Sequence, residues 1–167
     1  MLGDRTPTLA DLDLMPYTHQ VVQETLRLFP SIYVTLRESE AAGELEAAGQ
    51  IYSIPAGTQF ILNIRGLHRM EQHWRDADRF MPERFSAENS QDRHKFAYQP
   101  FISGPKKCIG DQFAMMEMRL AVPTLLQNLR FEPVSSHPAE TVAETAKEAA
   151  GFVMETERPV LMKVRNQ

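Results

Sequence analysis

Cys108 is the only cysteine in a chain of 167 residues. It stands in the stretch Pro100-Phe101-Ile102-Ser103-Gly104-Pro105-Lys106-Lys107-Cys108-Ile109-Gly110, immediately ahead of a long apolar run. A lone cysteine is by default an inert, small, buried hydrophobe, but these surroundings point elsewhere. The thiol precedes a helix start, where unpaired backbone N–H groups and the positive end of the helix dipole favour a thiolate, and Lys106 and Lys107 add positive charge. Gly104 and Gly110 let the backbone turn sharply and approach a flat partner that side chains would hold off. The result is a sulfur anion presented to something planar, and a metal held in a macrocycle is one such partner.

Glu24 and Arg27 form a second constellation, three residues apart. On an exposed helix face such a pair contributes only a few tenths of a kcal/mol. Here Pro16 followed by YTHQVVQETLRLF predicts a helix that stops before Pro30. Glu24 falls in the middle of its Tyr17/Val21/Leu28 stripe, so the carboxylate is aimed at a core and must be paired and hydrogen-bonded there. The histidines, His19, His68, His73, His94 and His137, include no pair at helical i, i+4 spacing, and no second cysteine exists, so zinc is disfavoured. No nucleophile motif frames a Cys-His hydrolase either.

The elements that must hold these residues follow from pattern. Residues 31–37, SIYVTLR, are β-prone, and QIYSI-PAG-TQFILNI predicts two short strands around a Pro-Ala-Gly turn. Residues 38–49, ESEAAGELEAAG, are acidic and glycine-punctuated and predict a solvated loop. From His68 to Ser90, charge and scattered aromatics without a sustained period predict a meandering, loop-rich segment. The run from Ile109 to about residue 129 has too many apolar positions for a surface helix and predicts a buried one, kinked at Pro123. Residues 138–150 predict a short helix or loop, and residues 152–164 a strand-like end.

Length and composition fit one soluble globular domain, with 43% hydrophobic and 24% charged residues. No window approaches the roughly 18 apolar residues that a membrane span needs, and the first residues lack the build of a secretory signal. A single cysteine makes no internal disulfide, which suggests a reducing compartment. With a formal charge of -4 and no basic stripe interleaved with aromatics, nucleic acid is excluded as a partner.

FISGPKKCIG, residues 101–110, resembles the haem-binding loop of the cytochromes P-450, F-x-x-G-x-(R/H/K)-x-C-x-G. Glu24-Thr25-Leu26-Arg27 resembles the E-x-x-R helix of the same family and Pro82-Glu83-Arg84-Phe85 its P-E-R-F motif, with IPAGT and LHR between them. The resemblance implies a mainly α fold with small β-sheets, the C-terminal, proximal portion of the cytochrome P-450 fold, incomplete as a domain, with residues 1–167 all in that haem-binding part. It implies Cys108 as the axial ligand of the haem iron and Phe101 as the aromatic that shields its sulfur. Gly104 and Gly110 would let the loop lie against the porphyrin. Glu24, Arg27 and Arg84 would form a structural salt-bridge network. Arg37 would bind a haem propionate; His68 would do the same or simply pack. Lys106 stands where relatives carry arginine or histidine and would hold a propionate more loosely, without arginine's bidentate fork.

The function so implied is a haem-thiolate monooxygenase that inserts one oxygen atom from O2 into a small organic substrate, fed by an electron-donating reductase or ferredoxin. The oxygen-activating (A/G)-G-x-(D/E)-T motif does not occur in these residues, so the chain alone is expected to be a poor catalyst. A hydroperoxide-rearranging relative and a non-catalytic or inactive truncated haem-binding product are the alternatives. The expected location is the reducing intracellular side, at the endoplasmic reticulum membrane if an anchor missing from this chain exists. The Ile32–Leu36 strand and a hairpin near Phe152 to Glu155 are the candidate substrate contacts.

Overall fold

Proline at the first helical position and proline just past the end delimit α1 (Pro16–Leu28) in the computed structural model, which describes residues 5–133, 148–150, 154–156 and 162–166. The missing N–H of Pro16 is harmless in a first turn, and the helix closes with Phe29 N donating to Thr25 O at 2.8 Å, just ahead of Pro30. A 3-10 helix, Leu9–Leu14, precedes it. There Asp11 accepts from the backbone N of Thr8 at 2.8 Å and from Arg5 Nη1 at 2.7 Å, satisfying a helix-start donor.

After α1 the chain forms β1 (Val34–Glu38), β2 (Gly43–Ala47), β3 (Gln50–Ile54) and β4 (Gln59–Asn63). These strands pair as two separate antiparallel ribbons, β1 with β4 and β2 with β3. The two short strands expected around Pro55-Ala56-Gly57 are β3 and β4, each paired with a different partner. One expectation is corrected here. The acidic stretch expected to be a solvated loop contains β2, with Leu45 opposite Tyr52 and Ala47 opposite Gln50. Its two-residue turn has Ala48 at φ 51° and Gly49 at φ 73°, the doubly left-handed geometry that matches the right-handed twist of a hairpin. The ribbon is stitched by backbone hydrogen bonds while Glu44 and Glu46 stay in solvent, so acidity and strand coexist.

The short helix α2 (Ile64–Leu67) is capped by Asn63, whose Oδ1 accepts from Gly66 N at 2.8 Å. From His68 to Gly110 the chain is loop apart from a 3-10 turn at Pro82–Phe85, which agrees with the loop-rich segment expected from His68 to Ser90. They nevertheless hold the aromatic core. Trp74, Ala77, Phe85 and Ala97 are buried together with Tyr98 packed on them, and the guanidinium of Arg93 lies over Trp74 at 4.7 Å and Phe85 at 4.4 Å.

The long helix α3 (Asp111–Asn128) runs on through Pro123 and packs against α1 and the first 3-10 helix. The expectation that it is buried is corrected: none of its residues is buried, and Phe113, Leu125 and Leu126 are 65%, 49% and 51% exposed. Its apolar residues surround the helix, but the other described elements cover only part of its girth. Likewise Tyr17 is 57% exposed, and the inner face of α1 is formed by Val22, Glu24, Arg27 and Leu28. Beyond α3, β5 (Leu129–Pro133) pairs with β8 (Met162–Asn166), and β6 (Glu148–Ala150) with β7 (Met154–Thr156). The helix or loop expected over 138–150 lies largely outside the described residues, as do His137 and Phe152. Helix and strand account for similar shares of the described residues, rather than helix predominating.

Candidate haem-thiolate site

The residues that could do chemistry are held from behind by a buried charge network. Glu24 and Arg27 are both fully buried. Arg27 Nε and Nη2 donate to the two oxygens of Glu24 at 2.7 and 2.9 Å, a bidentate fork. Arg84 Nε reaches Glu24 Oε1 at 3.3 Å, and the backbone N of Met81 donates to the same oxygen at 2.8 Å. Arg27 also donates to the carbonyls of His68 and Ala77, at 2.7 Å each. One carboxylate on α1 thus fastens the helix to two distant points of the loop segment, and every lone pair and N–H used has a partner, as burial demands.

His68 continues the brace. It is fully buried, its Nδ1 lies 3.1 Å from Arg27 O, and its Nε2 accepts from Gln99 N at 2.8 Å. Its ring stacks on Tyr98 at 5.4 Å, and Tyr98 donates its hydroxyl to Gln23 O at 3.0 Å. Both ring nitrogens are engaged, so of the two roles open to it His68 packs. Gln99 is the root of the cysteine loop, which α1 therefore holds through the His68 imidazole and, one residue earlier, through the Tyr98 hydroxyl.

The loop turns tightly. Ile102 is left-handed at φ 61° and Gly104 at φ 81°; Lys107 N donates to Gly104 O and Cys108 N to Phe101 O, both at 3.0 Å. A β-branched residue at positive φ is strained. Cys108 is exposed, and α3 begins three residues later, with Gly110 as its N-cap. Lys107 pairs with Asp111 in the first turn of α3, and this ammonium holds the Asp111 carboxyl below its ordinary range. Lys106 is exposed. A Cβ added at Gly104 would meet nothing within 4 Å, so its substitution isolates backbone strain from crowding. Gly104→Ala is expected to cost about 1 kcal/mol, read as a lower midpoint of thermal unfolding; an unchanged midpoint would mean that the loop relaxes freely.

Beside the loop lies a hollow of about 650 Å³, lined on one side by Arg37, Leu62 and Ile64 and on the other by Phe96, Ile102 and Ser103. Arg37 Nη1 donates to Leu36 O at 2.7 Å and to Thr35 Oγ1 at 3.2 Å. Its Nη2 is buried and has no hydrogen-bond partner among the described residues. The structure thus brings Arg37 to the first residues of the cysteine loop. Cys108, Lys106 and Gly110 are not in the wall of this hollow, and Phe101 lines a different one, between α1 and α3. Phe96 and Gln99 escaped sequence reasoning: they carry no motif, and only the folded path of the loop brings them to Arg37.

Among the described residues no helix is long and apolar enough to cross a membrane, and no group of three or more His, Cys, Asp or Glu could hold a metal ion. The loop presents a single exposed sulfur, Cys108, and the chain around it is matched in other proteins. Probable cytochrome P450 4aa1 of Drosophila melanogaster is 38% identical over 143 residues, covering 86% of this chain and 27% of that protein. Cytochrome P450 4X1 of Rattus norvegicus is 43% identical over 131 residues, 78% of this chain and 25% of its own length. Protein LUTEIN DEFICIENT 5, chloroplastic, of Arabidopsis thaliana is 35% identical over 144 residues, 83% of this chain and 23% of its own. The chain spans about a quarter of the length of these curated relatives. The family model described as Cytochrome P450 matches residues 1–162. With that match over nearly its whole length, the chain belongs to the cytochrome P450 family.

Proposed function

We propose that this chain is the C-terminal, proximal part of a haem-thiolate monooxygenase and that Cys108 would hold the haem iron through its sulfur. The observation that carries the reading is the pairing of an exposed thiol, three residues ahead of α3, with the buried, unpartnered Nη2 of Arg37 in an apolar hollow walled by the same loop. A flat apolar ring with anionic side arms suits both features: the arginine offers an unused donor to a carboxylate, and the aliphatic wall covers the ring.

When bound, haem supplies activation of O2 for transfer of one oxygen atom to an organic substrate, with the second leaving as water. The residues of this chain do the holding. The hydrogen bond from Cys108 N to Phe101 O fixes the loop on which that sulfur sits. Gly104, bearing no Cβ, keeps the approach to the loop open, and Gly110 gives α3 a start that crowds nothing: a Cβ there would come no nearer than 4.0 Å to the sulfur. Arg37 would bind a propionate directly, and Lys106 would add a second, looser charge. The Glu24–Arg27–Arg84 network keeps these parts in register without touching the reacting atoms. The substrate pocket, the oxygen-activating groups and the docking of a reductase or ferredoxin are assigned to the remainder of a longer protein, in keeping with the quarter-length match.

The test is spectroscopic. The purified chain loaded with haemin and reduced under carbon monoxide is expected to show the red-shifted Soret band of thiolate ligation. Cys108→Ala is expected to abolish that band while the far-ultraviolet circular dichroism stays unchanged. A band of the imidazole type in the parent chain, or a thiolate-type band that survives the substitution, refutes the assignment.

A further inference from the structure

The second hollow, about 440 Å³, lies between α1 and α3 and is closed by Pro100 and Phe101 at the root of the cysteine loop. Three of the side chains that line it carry buried polar atoms with no hydrogen-bond partner among the described residues: His19 Nδ1, Gln23 Oε1 and Arg119 Nε. Buried polar atoms without partners cost roughly 1–3 kcal/mol each, and native proteins seldom leave more than a few. Here three line one hollow, His19 and Gln23 from α1 and Arg119 from α3. They are also chemically complementary. Arg119 Nε–H can only donate, Gln23 Oε1 can only accept, and a neutral imidazole nitrogen does either according to its tautomer. Burial, together with the charge of Arg119, lowers the His19 pKa, which keeps the ring neutral.

The charge state of the matching ligand follows from what surrounds the trio. Arg119 already donates Nη2 to Leu12 O at 2.6 Å and lies 3.7 Å from the Asp13 carboxylate, so its charge is partly answered. A ligand carboxylate would in addition face the lone pairs of Gln23 Oε1. A neutral head that both accepts and donates satisfies the arginine and the glutamine together. Leu12, Met115 and Met116 supply an apolar floor, and methionine adapts to irregular shapes. The volume is within the range of small-molecule sites.

We propose that this hollow binds a small neutral amphiphile, a primary carboxamide on a short apolar chain or its chemical equivalent, held by Arg119, Gln23 and His19. Its position gives it a readout. Phe101 forms one wall, and the Phe101 carbonyl accepts from the backbone N of Cys108, so an occupant touches the residue that fixes the cysteine loop. The site would act on that loop from behind, and it stands independently of whether Cys108 binds iron.

Hexanamide titrated into the 15N-labelled full chain is expected to give saturable shifts of the Phe101 and Cys108 amide signals. Hexanoate, the charged counterpart, is expected to bind at least about tenfold more weakly, as is hexanamide to Gln23→Leu, each losing one hydrogen bond's worth of affinity. Gln23→Leu removes an unpartnered acceptor, so it is expected to unfold at the same or a higher temperature than the parent, and its loss of binding then cannot be a loss of fold. No saturable shift would mean that ordered water alone fills the hollow, and the proposal falls. It falls equally if hexanoate binds as tightly as hexanamide, or if Gln23→Leu binds like the parent.

Discussion

Glu24→Gln is expected to lower the free energy of unfolding by about 3–5 kcal/mol, the cost of leaving a buried charge uncompensated. The substitution keeps shape and volume, so no cavity contributes. What disappears is the negative charge that answers Arg27, itself fully buried, and Arg84, whose side chain is 10% exposed. The amide that replaces one carboxylate oxygen is a donor, and both Glu24 oxygens accept: one from Arg27 Nε alone, the other from Arg27 Nη2, Arg84 Nε and Met81 N. Whichever way the amide turns, an N–H meets an N–H. Against a total stability of about 5–15 kcal/mol for a domain, that is roughly a fifth or more.

Trp74 reports the outcome. It is the only tryptophan, it is buried, and the Arg27 guanidinium lies 5.1 Å from the centre of its ring. Urea unfolding followed by its fluorescence is expected to show a lower midpoint with an unchanged slope. A change below about 1 kcal/mol would mean that the carbonyls of His68, Ala77 and Arg79, which also accept from Arg27, suffice to hold that charge, and the carboxylate would then be dispensable.

How much of this was legible beforehand depends on the range of the signal. The ends of α1 follow from Pro16 and Pro30, a local signal; Glu24 is buried as expected, but beside Val22 and Arg27 rather than within a buried Tyr17/Val21/Leu28 stripe, since Tyr17 is exposed. Strand existence was local too, but strand pairing was not. Nothing in QIYSIPAGTQFILNI reveals that its two halves belong to different ribbons, because the acidic β2 takes the first half across a two-residue turn and β1 takes the second from a distance. Glutamates at 44 and 46 hid β2, since composition argued for solvent while backbone pairing needed only the alternation of Glu44, Leu45 and Glu46. The aromatic core escaped because Trp74, Phe85 and Tyr98 sit on loops, where periodicity carries no information. The exposure of α3 could not be read at all: counting apolar residues says that a helix needs cover, not which segment supplies it. In the candidate site, the cysteine loop is continuous in sequence and stood out, whereas the hollow joining Arg37 to Phe96 and Ile102 exists only after the chain returns on itself.

His68 makes the pH dependence of the fold predictable in sign. A carbonyl only accepts and a backbone amide only donates, so Arg27 O and Gln99 N fix the ring as neutral, with the proton on Nδ1. Burial is the main cause that depresses its pKa from 6.5 to about 4, with the charges of Arg27 and Arg69 acting in the same direction and the hydrogen bond to the Arg27 carbonyl opposing. Because the folded value lies below the unfolded one, the unfolded chain takes up the proton first as pH falls. The contribution of this group is intact above pH about 6.5 and is lost progressively down to about 4, reaching roughly 3 kcal/mol at 1.36 kcal/mol per unit. Between pH 6.5 and 5 the parent chain is expected to lose roughly 2 kcal/mol of stability from His68 alone. His68→Gln can donate to Arg27 O and accept from Gln99 N without titrating, so it is expected to retain stability at pH 7 and to lack this part of the slope. His68→Leu can do neither; it leaves two buried backbone groups unpaired and is expected to cost about 2–4 kcal/mol at pH 7. The comparison cancels the other groups that titrate in the range, His19 among them, since they are common to every variant. Amide exchange at Gln99, slow in the parent and in His68→Gln, is expected to become fast in His68→Leu, locating the loss at the root of the cysteine loop rather than throughout the fold. If the parent and His68→Gln lose stability in parallel as the pH is lowered, the imidazole is charged in the folded chain, and the brace between α1 and the loop is built some other way.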